Sequence, residues 1–546
     1  MKSNTMRAFF FILLAIGITA NVNASRLKTS ESHKLVAEQN LRRAMQLLDT
    51  GISKFFSGDD MRMADVYDVA VHRAKGTADV WPYTAVIESV NSVLEALESV
   101  KDIYPDIYVD NHERYVTLLG KLHDNLGYYK GNFSLHSYAR IGNWSVYGVH
   151  RSGSIGGANV AGIENVYDDQ EWLIRELLRT YNLTKDKKYL DEAENLAAYV
   201  IDGWDCYLDD NGDEYGGITW GPAYNSKHSC SNGPFISPLV WLYDIYKNDV
   251  HTTMVKRIIT GNGTRKTEYP LKRDNYLDFA KKIYAWQKAK LLRNGVYADM
   301  LGADNTIQYV TVGNKKYRKH VDVGGATGTA FSYNTGTMLS GGADLYRVTG
   351  DASYLSDIRL LSRVSYFKFA SAVTIGGKQY HEYVYRTRSN NEKTVYYWDG
   401  FDCWFHDVYM RGQQAVHDFF GGYSEKVLDE FQTNLDYAFD NYLKDGLLPV
   451  NLLGGWGAEI GGEWRNISEI RCMFQFTFAS EYAMLVKYNM DVTGVKRLQE
   501  NVGQVEHVNV YTVDGQQLRS NISKENSLSG LARGIYVVDG RKYVVR

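Results

Sequence analysis

Two consecutive aspartates, Asp168 and Asp169, have the residue type and spacing for acid–base and nucleophilic chemistry. They stand inside Asn165-Val-Tyr-Asp-Asp-Gln-Glu-Trp172. A Gly-rich segment from Gly153 to Gly162 precedes them, and Trp172, Leu173, Leu177, Leu178 and Tyr181 follow at helical spacing. The pair therefore sits where a loop becomes a helix. Neighbouring Cα atoms are about 3.8 Å apart, so two adjacent carboxyl groups can lie about 5 to 5.5 Å apart. At that separation a retaining glycosidase uses one carboxylate to attack the sugar and the other to carry the proton. A plainer reading competes: aspartate is a favoured N-cap, and acidic residues suit the first turn of a helix.

The elements that must position this pair read as helices through most of the chain. Leu35, Leu41, Met45 and Leu48 mark a first helix. Trp81-Pro82 opens a second, with proline early, where its missing N–H costs little. Others are expected near 111–127, 167–183, 187–202, 232–247, 275–292, 334–349, 353–369, 403–421, 425–443 and 467–488. One unit repeats: Tyr181-Asn-Leu-Thr-Lys-Asp-Lys-Lys-Tyr-Leu190 matches Tyr346-Arg-Val-Thr-Gly-Asp-Ala-Ser-Tyr-Leu355. Each copy ends one helix, turns at Thr-x-Asp and starts the next. Twelve helices in six hairpins predict an all-α fold, an (α/α)6 barrel, with a solenoid of stacked pairs as the alternative.

Between the hairpins run long loops, which are uncommon unless functional. Residues 203–231 carry Trp204, Trp220 and an acidic run, Asp209 to Glu214. That run has Glu214 where a calcium loop needs glycine and Trp220 where it needs glutamate, so it reads as a solvated turn. Residues 372–398, around Gly376-Gly377, read as a β-hairpin. Gly454-Gly-Trp-Gly457 is a flexible loop with an aromatic ring. Trp220 and Trp456 both sit in Gly-rich loops with no obvious core to fill, so both are expected to contact sugar rings. After about residue 492, short strands and turns such as Gly534 to Gly540 predict a small C-terminal β module. The expected divisions are 1–24, 25–492 and 493–546.

Composition narrows the classes. A formal net charge of −3 gives no electrostatic reason to expect a nucleic-acid partner. Lys2 and Arg7 precede an apolar run from Ala8 to Ala20, followed by Val22-Asn23-Ala24. This is the pattern of a secretory signal peptide, too short for a membrane span. No later stretch is apolar enough to cross a membrane, so an exported chain, secreted or at the cell surface, with the periplasm as the alternative, is expected, working as a monomer. Four cysteines allow three pairings, and Cys206 with Cys230, closest in sequence, is the expected disulfide. No Cys-x-x-Cys or His-x-x-x-His spacing suggests a metal site, and no cofactor is expected.

Several of these motifs together resemble glycoside hydrolase family 76, the bacterial endo-α-1,6-mannanases. The likeness runs over most of residues 30–490. It rests on the Asp-Asp motif, Trp81-Pro82, Gly216-Gly-Ile-Thr-Trp220 with Asn232-Gly233, Gly295-Val-Tyr-Ala-Asp299, and Ser332-Tyr-Asn-Thr-Gly336. The resemblance implies an (α/α)6 barrel and a retaining mechanism with Asp168 as nucleophile and Asp169 as acid/base. It further implies that Trp220, Asn232, Asp299, Tyr333 and Asn334 bind an α-mannan substrate. Around Phe405 the family tends to carry Phe-Lys-Gly, whereas this chain has Phe405-His406-Asp407. Separately, Tyr511-Thr-Val-Asp-Gly515 and Leu531 to Val537 resemble the sorting domain of the type IX secretion system. Two other readings stay open: a non-catalytic glycan-binding protein on the same barrel, and a hydrolase of a different α-linked glycan.

Overall fold

The computed structural model describes residues 31–302, 306–383, 402–460 and 463–492, and near the C-terminus 507–512, 516–523, 527–538 and 541–545. The N-terminal apolar run and residues 384–398 of the expected hairpin region lie outside them. The chain divides into two compact units, residues 37–488 and residues 489–546 together with 1–36.

Twelve α-helices are present among the described residues: α1 (31–55), α2 (Val80–Val100), α3 (Pro105–Asn125), α4 (Tyr167–Thr184), α5 (Lys187–Asp202), α6 (Gly233–Tyr246), α7 (Lys272–Leu291), α8 (Ser332–Thr349), α9 (Ala352–Phe369), α10 (Asp402–His417), α11 (Tyr423–Tyr442) and α12 (Met473–Val492). Burial sorts them into two layers. α2 is buried along nearly its whole length, whereas α3 buries only Ile107, Tyr115, Leu119 and Leu122. A helix apolar on all sides belongs inside, and one with a single apolar stripe lies outside it. The even-numbered helices form the inner ring, with α2, α4, α6, α8 and α10 packed in succession. α12 closes it: Ser480 meets Ser92 of α2 at 3.0 Å, and Gln414 of α10 donates to the Met484 carbonyl at 3.1 Å. α1 is the outer partner of α12, with Phe55 and Phe476 6.0 Å apart. The result is the expected (α/α)6 barrel.

The repeat seen in the sequence is a capping device. At the end of α4, Lys185 adopts the left-handed conformation, and Asp186 caps α5 by accepting from the Lys188 N–H. At the end of α8, Gly350 is left-handed, and Asp351 caps α9 through the Ser353 N–H. In both turns the threonine hydroxyl (Thr184, Thr349) accepts from the capping aspartate's own N–H. The last turn of one helix and the first of the next are thereby satisfied together.

Small residues let the inner ring close tightly. A Cβ on Gly336 of α8 would meet the Val408 carbonyl at 2.4 Å, and one on Gly412 of α10 would meet the Gly336 carbonyl at 2.4 Å. The two backbones touch with no room for a methyl group. Further along the axis the interior is charged. Glu88, Glu95, Arg175, Glu176, Arg179, Asp407 and Arg411 form ion pairs, among them Arg179–Glu176 at 3.0 Å, Arg179–Glu95 at 2.7 Å and Arg411–Asp407 at 2.6 Å, with Glu88 joined to Arg411.

Short antiparallel pairs decorate the loops: Lys130–His136 with Ile141–Tyr147, Lys256–Ile259 with Arg265–Glu268, Tyr309–Val312 with Lys315–Arg318, and Ser371–Ile375 with Lys378–Glu382. The last turns at Gly376-Gly377, both with positive φ, as the Gly-Gly pair requires. The final helix starts at Met473, later than the spacing predicts, because Glu469–Arg471 first pairs with Val66–Asp68. The second unit holds a four-stranded antiparallel sheet in the order Gln517–Ser523, His507–Thr512, Gly534–Val538, Arg541–Val545, around Val508, Val510, Tyr536 and Val538.

The expected Cys206–Cys230 disulfide is not formed, and each of the two keeps its thiol. The two side chains serve different environments. Cys206 lines a recess with Trp204 and Phe279, whereas Cys230 lies against Asp168.

Candidate active site

The N-terminal ends of the inner helices converge on Asp168 and Asp169. The pair occupies the first turn of α4, after Val166 in extended conformation. The approach is pinned from both sides. The Asn165 amide donates to the Val160 carbonyl at 3.0 Å and its oxygen accepts from Tyr199 at 3.0 Å. Gln170 exchanges two hydrogen bonds with the backbone of Tyr147, fixing the 130–147 hairpin to the same turn. Both aspartates are half-buried, so each stays reachable while losing most of its water.

Their environments differ. Asp168 accepts from the Trp220 indole N–H at 3.3 Å and from the Asp169 backbone N–H at 3.1 Å, with the Cys230 thiol beside it. Burial raises its pKa, and these donors oppose the rise. Asp169 is pushed well above the ordinary aspartate range, first by burial, then by the charge of Asp168, then by that of Asp79. One carboxylate is thus furnished to hold a negative charge and its neighbour to hold a proton. The partial positive charge at the start of α4 adds to the first effect.

Three loops surround the pair. In the first, Trp220 stacks on His228, with ring centroids 4.8 Å apart at 23°. Its backbone bonds both Tyr167 and Ser226. Burial pushes His228 down to about 4, so it is a neutral platform. In the second, Lys227–His228, Met300–Leu301 and Ala326–Thr327 form a three-stranded sheet that brings Asp299 beside Ser229 and Cys230. Burial, then the charge of Asp168, sets Asp299 at about 6, against the pull of the neighbouring Asn334 amide. Gly328 gives Asp299 its space, since a Cβ there would stand 2.6 Å from the Asp299 Cβ. In the third, Tyr333 at the start of α8 reaches Cys230. Half-buried Trp81, Phe331 and Phe405 form an aromatic wall at the starts of α2, α8 and α10. Trp81 and Phe405 are nearly parallel at 6.0 Å, and Phe331 lies 5.2 Å from Phe405. Among the described residues no group of three His, Cys, Asp or Glu side chains is arranged to hold a metal ion.

The sequence profile of glycosyl hydrolase family 76 matches residues 157–260 and 264–431, which span the aspartate pair and the three loops around it, but not the 130–147 hairpin or the start of α2. The chain belongs to this family. No curated protein sequence matches significantly, but solved structures do. A family 76 glycoside hydrolase from a bovine Bacteroides thetaiotaomicron strain shares 18% identity at a TM-score of 0.57, over 82% of this chain and 78% of that one. The family 76 mannosidase Bt3792 from Bacteroides thetaiotaomicron VPI-5482 shares 17% identity at 0.57, over 84% and 100%. An inactive variant of the α-1,6-mannanase GH76A of Salegentibacter sp. HEL1_6, with two consecutive aspartates replaced by asparagine and α-1,6-mannotriose bound, shares 19% identity at 0.50, over 82% and 99%. At these identities the likeness is one of fold, and the enzyme is a family 76 glycoside hydrolase with a barrel of that kind.

Set against this family 76 site, the residues expected from sequence fall into two groups. Asp168, Asp169, Trp220, Asp299 and Tyr333 are brought together, with Asn334 buried behind Asp299. Asn232 is fully buried, and its amide is engaged with both backbone groups of Ile218 and the His228 carbonyl; it holds the Trp220 loop onto α6 and has no surface for a sugar. Trp456 anchors its own loop through an indole bond to the Tyr442 carbonyl at 2.7 Å. The departure at His406-Asp407 falls on buried side chains: His406 meets Ser332 at 3.0 Å, and Asp407 joins the axial ion pairs. The acidic run at 209–214 is an exposed turn, with Asp209 accepting from Asn211 and Asp213.

Two features of the site were not foreseen. One is the aromatic wall, of which Trp81-Pro82 and Phe405 were the visible part. The other is Arg318, which is 3% exposed and clamps the Trp220 loop through the Pro222 and Tyr224 carbonyls and the Asn225 side chain. It lies about a hundred residues from the loop it holds, and nothing local in sequence marks such a partner.

Proposed function

We propose that this family 76 hydrolase cleaves α-1,6-mannosidic bonds in mannan backbones by double displacement with retention. Asp168 attacks the anomeric carbon while Asp169 protonates the departing oxygen. Once Asp168 is glycosylated its charge is gone, the acidity of Asp169 rises, and its carboxylate then takes the proton from the water that releases the sugar. The observation that carries this reading is the asymmetry of the pair: donors converge on Asp168, while Asp169 is exposed to like charge. The Salegentibacter mannanase supports it, because its inactive variant alters two consecutive aspartates. Two consecutive pairs lie in the family-matched region here, and the other, Asp209-Asp210, is in the exposed turn. Trp220 and the aromatic wall then offer faces to the sugar rings on either side of the scissile bond. We also place the enzyme outside the cytoplasm, a reading that rests on the sequence between Lys2 and Ala24. Incubation with unbranched α-1,6-mannan tests the substrate: mannooligosaccharides are the expected products, and their absence alongside hydrolysis of another α-glycan would contradict it.

A further inference from the structure

The loop from α11 to α12 carries two tryptophans that end differently. Trp456 commits its indole N–H to the Tyr442 carbonyl. Trp464 stands on the hairpin formed by Gly457–Ile460 and Glu463–Asn466 and is 60% exposed, whereas the other tryptophans among the described residues are buried or half-buried. Its ring has a seat. In the hairpin register Glu459 pairs with Trp464 and Gly457 with Asn466, so Trp464 and Gly457 share one face of the ribbon. The indole covers Gly457 so closely that a Cβ there would stand 2.4 to 2.7 Å from three of its ring atoms. One side of the ring rests on bare backbone, and the exposed remainder meets solvent.

A single exposed ring is ordinary on a protein surface; the placement of this one points to a ligand. Loops that lead from an outer helix into an inner one lie at the catalytic end of the barrel, and this loop leads into α12. In the ring α12 stands between α10 and α2, whose starts carry Phe405 and Trp81 of the aromatic wall. The loop is tied to both neighbours. The Cys403 thiol at the start of α10 donates to the Val450 carbonyl at 3.8 Å, and Glu469–Arg471 pairs with the Val66–Asp68 strand that precedes α2. The Trp464 hairpin thus borders the aromatic wall, two inner helices round from α4 and Asp168, at about 8–10 Å per helix. We propose that Trp464 is the platform of a distal subsite, stacking on one sugar of a polymer whose scissile bond lies several units away at the aspartates. A flat apolar ring suits the C–H face of a pyranose. Exposed Asn466, on the same face of the ribbon, adds an amide for its hydroxyls. The polymer, α-1,6-mannan, rests on the function proposed above.

The test uses the full chain and takes the ratio of kcat/KM on long α-1,6-mannan to kcat/KM on α-1,6-mannotetraose. The polymer reaches the distal platform, whereas a tetraose held across the aspartates leaves it empty. Trp464→Ala should lower the ratio by about three- to tenfold, through KM on the polymer, at the wild-type melting temperature. Trp464→Tyr keeps a flat ring and should restore most of the loss. Gly457→Ala drives the indole off its seat and should lower the ratio in the same direction. An unaltered ratio in Trp464→Ala, whether both rates hold or fall together, would overturn the distal subsite and leave the functional reading standing. No hydrolysis of either substrate by the unsubstituted chain would overturn the mannan reading and this ligand with it.

Discussion

Two sets of carboxylates lie along one barrel axis, and they are treated in opposite ways. Around the N-terminal ends of the inner helices, Asp168, Asp169, Glu171 and, from a neighbouring loop, Asp299 meet no guanidinium or ammonium among the described residues, and all four are shifted upward. One to three turns further along the same helices, Glu88, Glu95, Glu176 and Asp407 meet Arg175, Arg179 and Arg411. Desolvation works to raise Glu95 too, although half of its side chain meets solvent, and Arg179 outweighs it and holds that carboxyl below its usual range. The same residue types, in the same barrel, are proton carriers where cations are withheld and structural braces where they are supplied. Withholding cations is what chemistry requires: an arginine beside Asp169 would strip the proton it has to donate.

The comparison is broken most severely at the catalytic end. Asp168→Asn should lower the hydrolysis rate by about 10⁴-fold or more, since no other nucleophile replaces it. Asp169→Asn should lower it by on the order of 10² to 10⁴-fold. Both variants should keep the wild-type melting temperature to within a few degrees. Rates of purified variants on α-1,6-mannan check this, and near wild-type activity in either would remove that residue from the mechanism.

At the braced end the prediction is in stability. Arg179→Met leaves the buried Glu176 short of a partner, and the half-exposed Glu95 with it, and should cost about 3 kcal/mol in urea unfolding. A loss below about 1 kcal/mol would mean that Arg175 and water replace Arg179, and that the axis is not a set of obligate pairs.

The smallest expected effect sharpens the contrast by its sign. Glu171 is fully buried one turn below the aspartates, with neither carboxylate oxygen hydrogen-bonded. Burial, then the charge of Asp168, pushes it well above the ordinary value of 4.5. A carboxyl raised in the folded state keeps its proton there while the unfolded chain releases it, so it lowers stability as pH rises above 4.5. Glu171→Gln should therefore match the parent near pH 4 and be more stable by about 1 kcal/mol at pH 7. Urea midpoints at the two pH values measure this; a loss of stability at pH 7 would show that the Glu171 carboxylate is ionised and held by partners.

The helical period showed the barrel before any coordinates, because each inner and outer helix writes its own burial into local spacing. Thr184-Lys-Asp186 and Thr349-Gly-Asp351 were legible for the same reason: a cap is a contact between neighbours. The aspartate pair was legible because one helix start carries both members. What escaped was decided by contacts distant in sequence. Asn232 and Trp220 both stand in motifs of similar character, yet one faces inward to Ile218 and the other toward Asp168. Trp456 has a glycine-rich setting like that of Trp220, but the carbonyl of Tyr442 takes its indole. Nearness in sequence suggested the Cys206–Cys230 pairing, whereas the loop between them, held by Asp205, Lys227 and His320, turns the two thiols to different places.

The central claim, that adjacent Asp168 and Asp169 act as nucleophile and acid/base on an α-linked mannan, has a direct stereochemical consequence. Two carboxyls in one helical turn do not leave the roughly 6.5–9.5 Å that an inverting enzyme needs for its water. Proton NMR of the anomeric signals during the first minutes of α-1,6-mannan hydrolysis reads the outcome before mutarotation blurs it. The account predicts that the α-anomer of the new reducing end appears first. Early appearance of the β-anomer would contradict it and assign the second catalytic carboxylate to another loop, with Asp299 the first candidate.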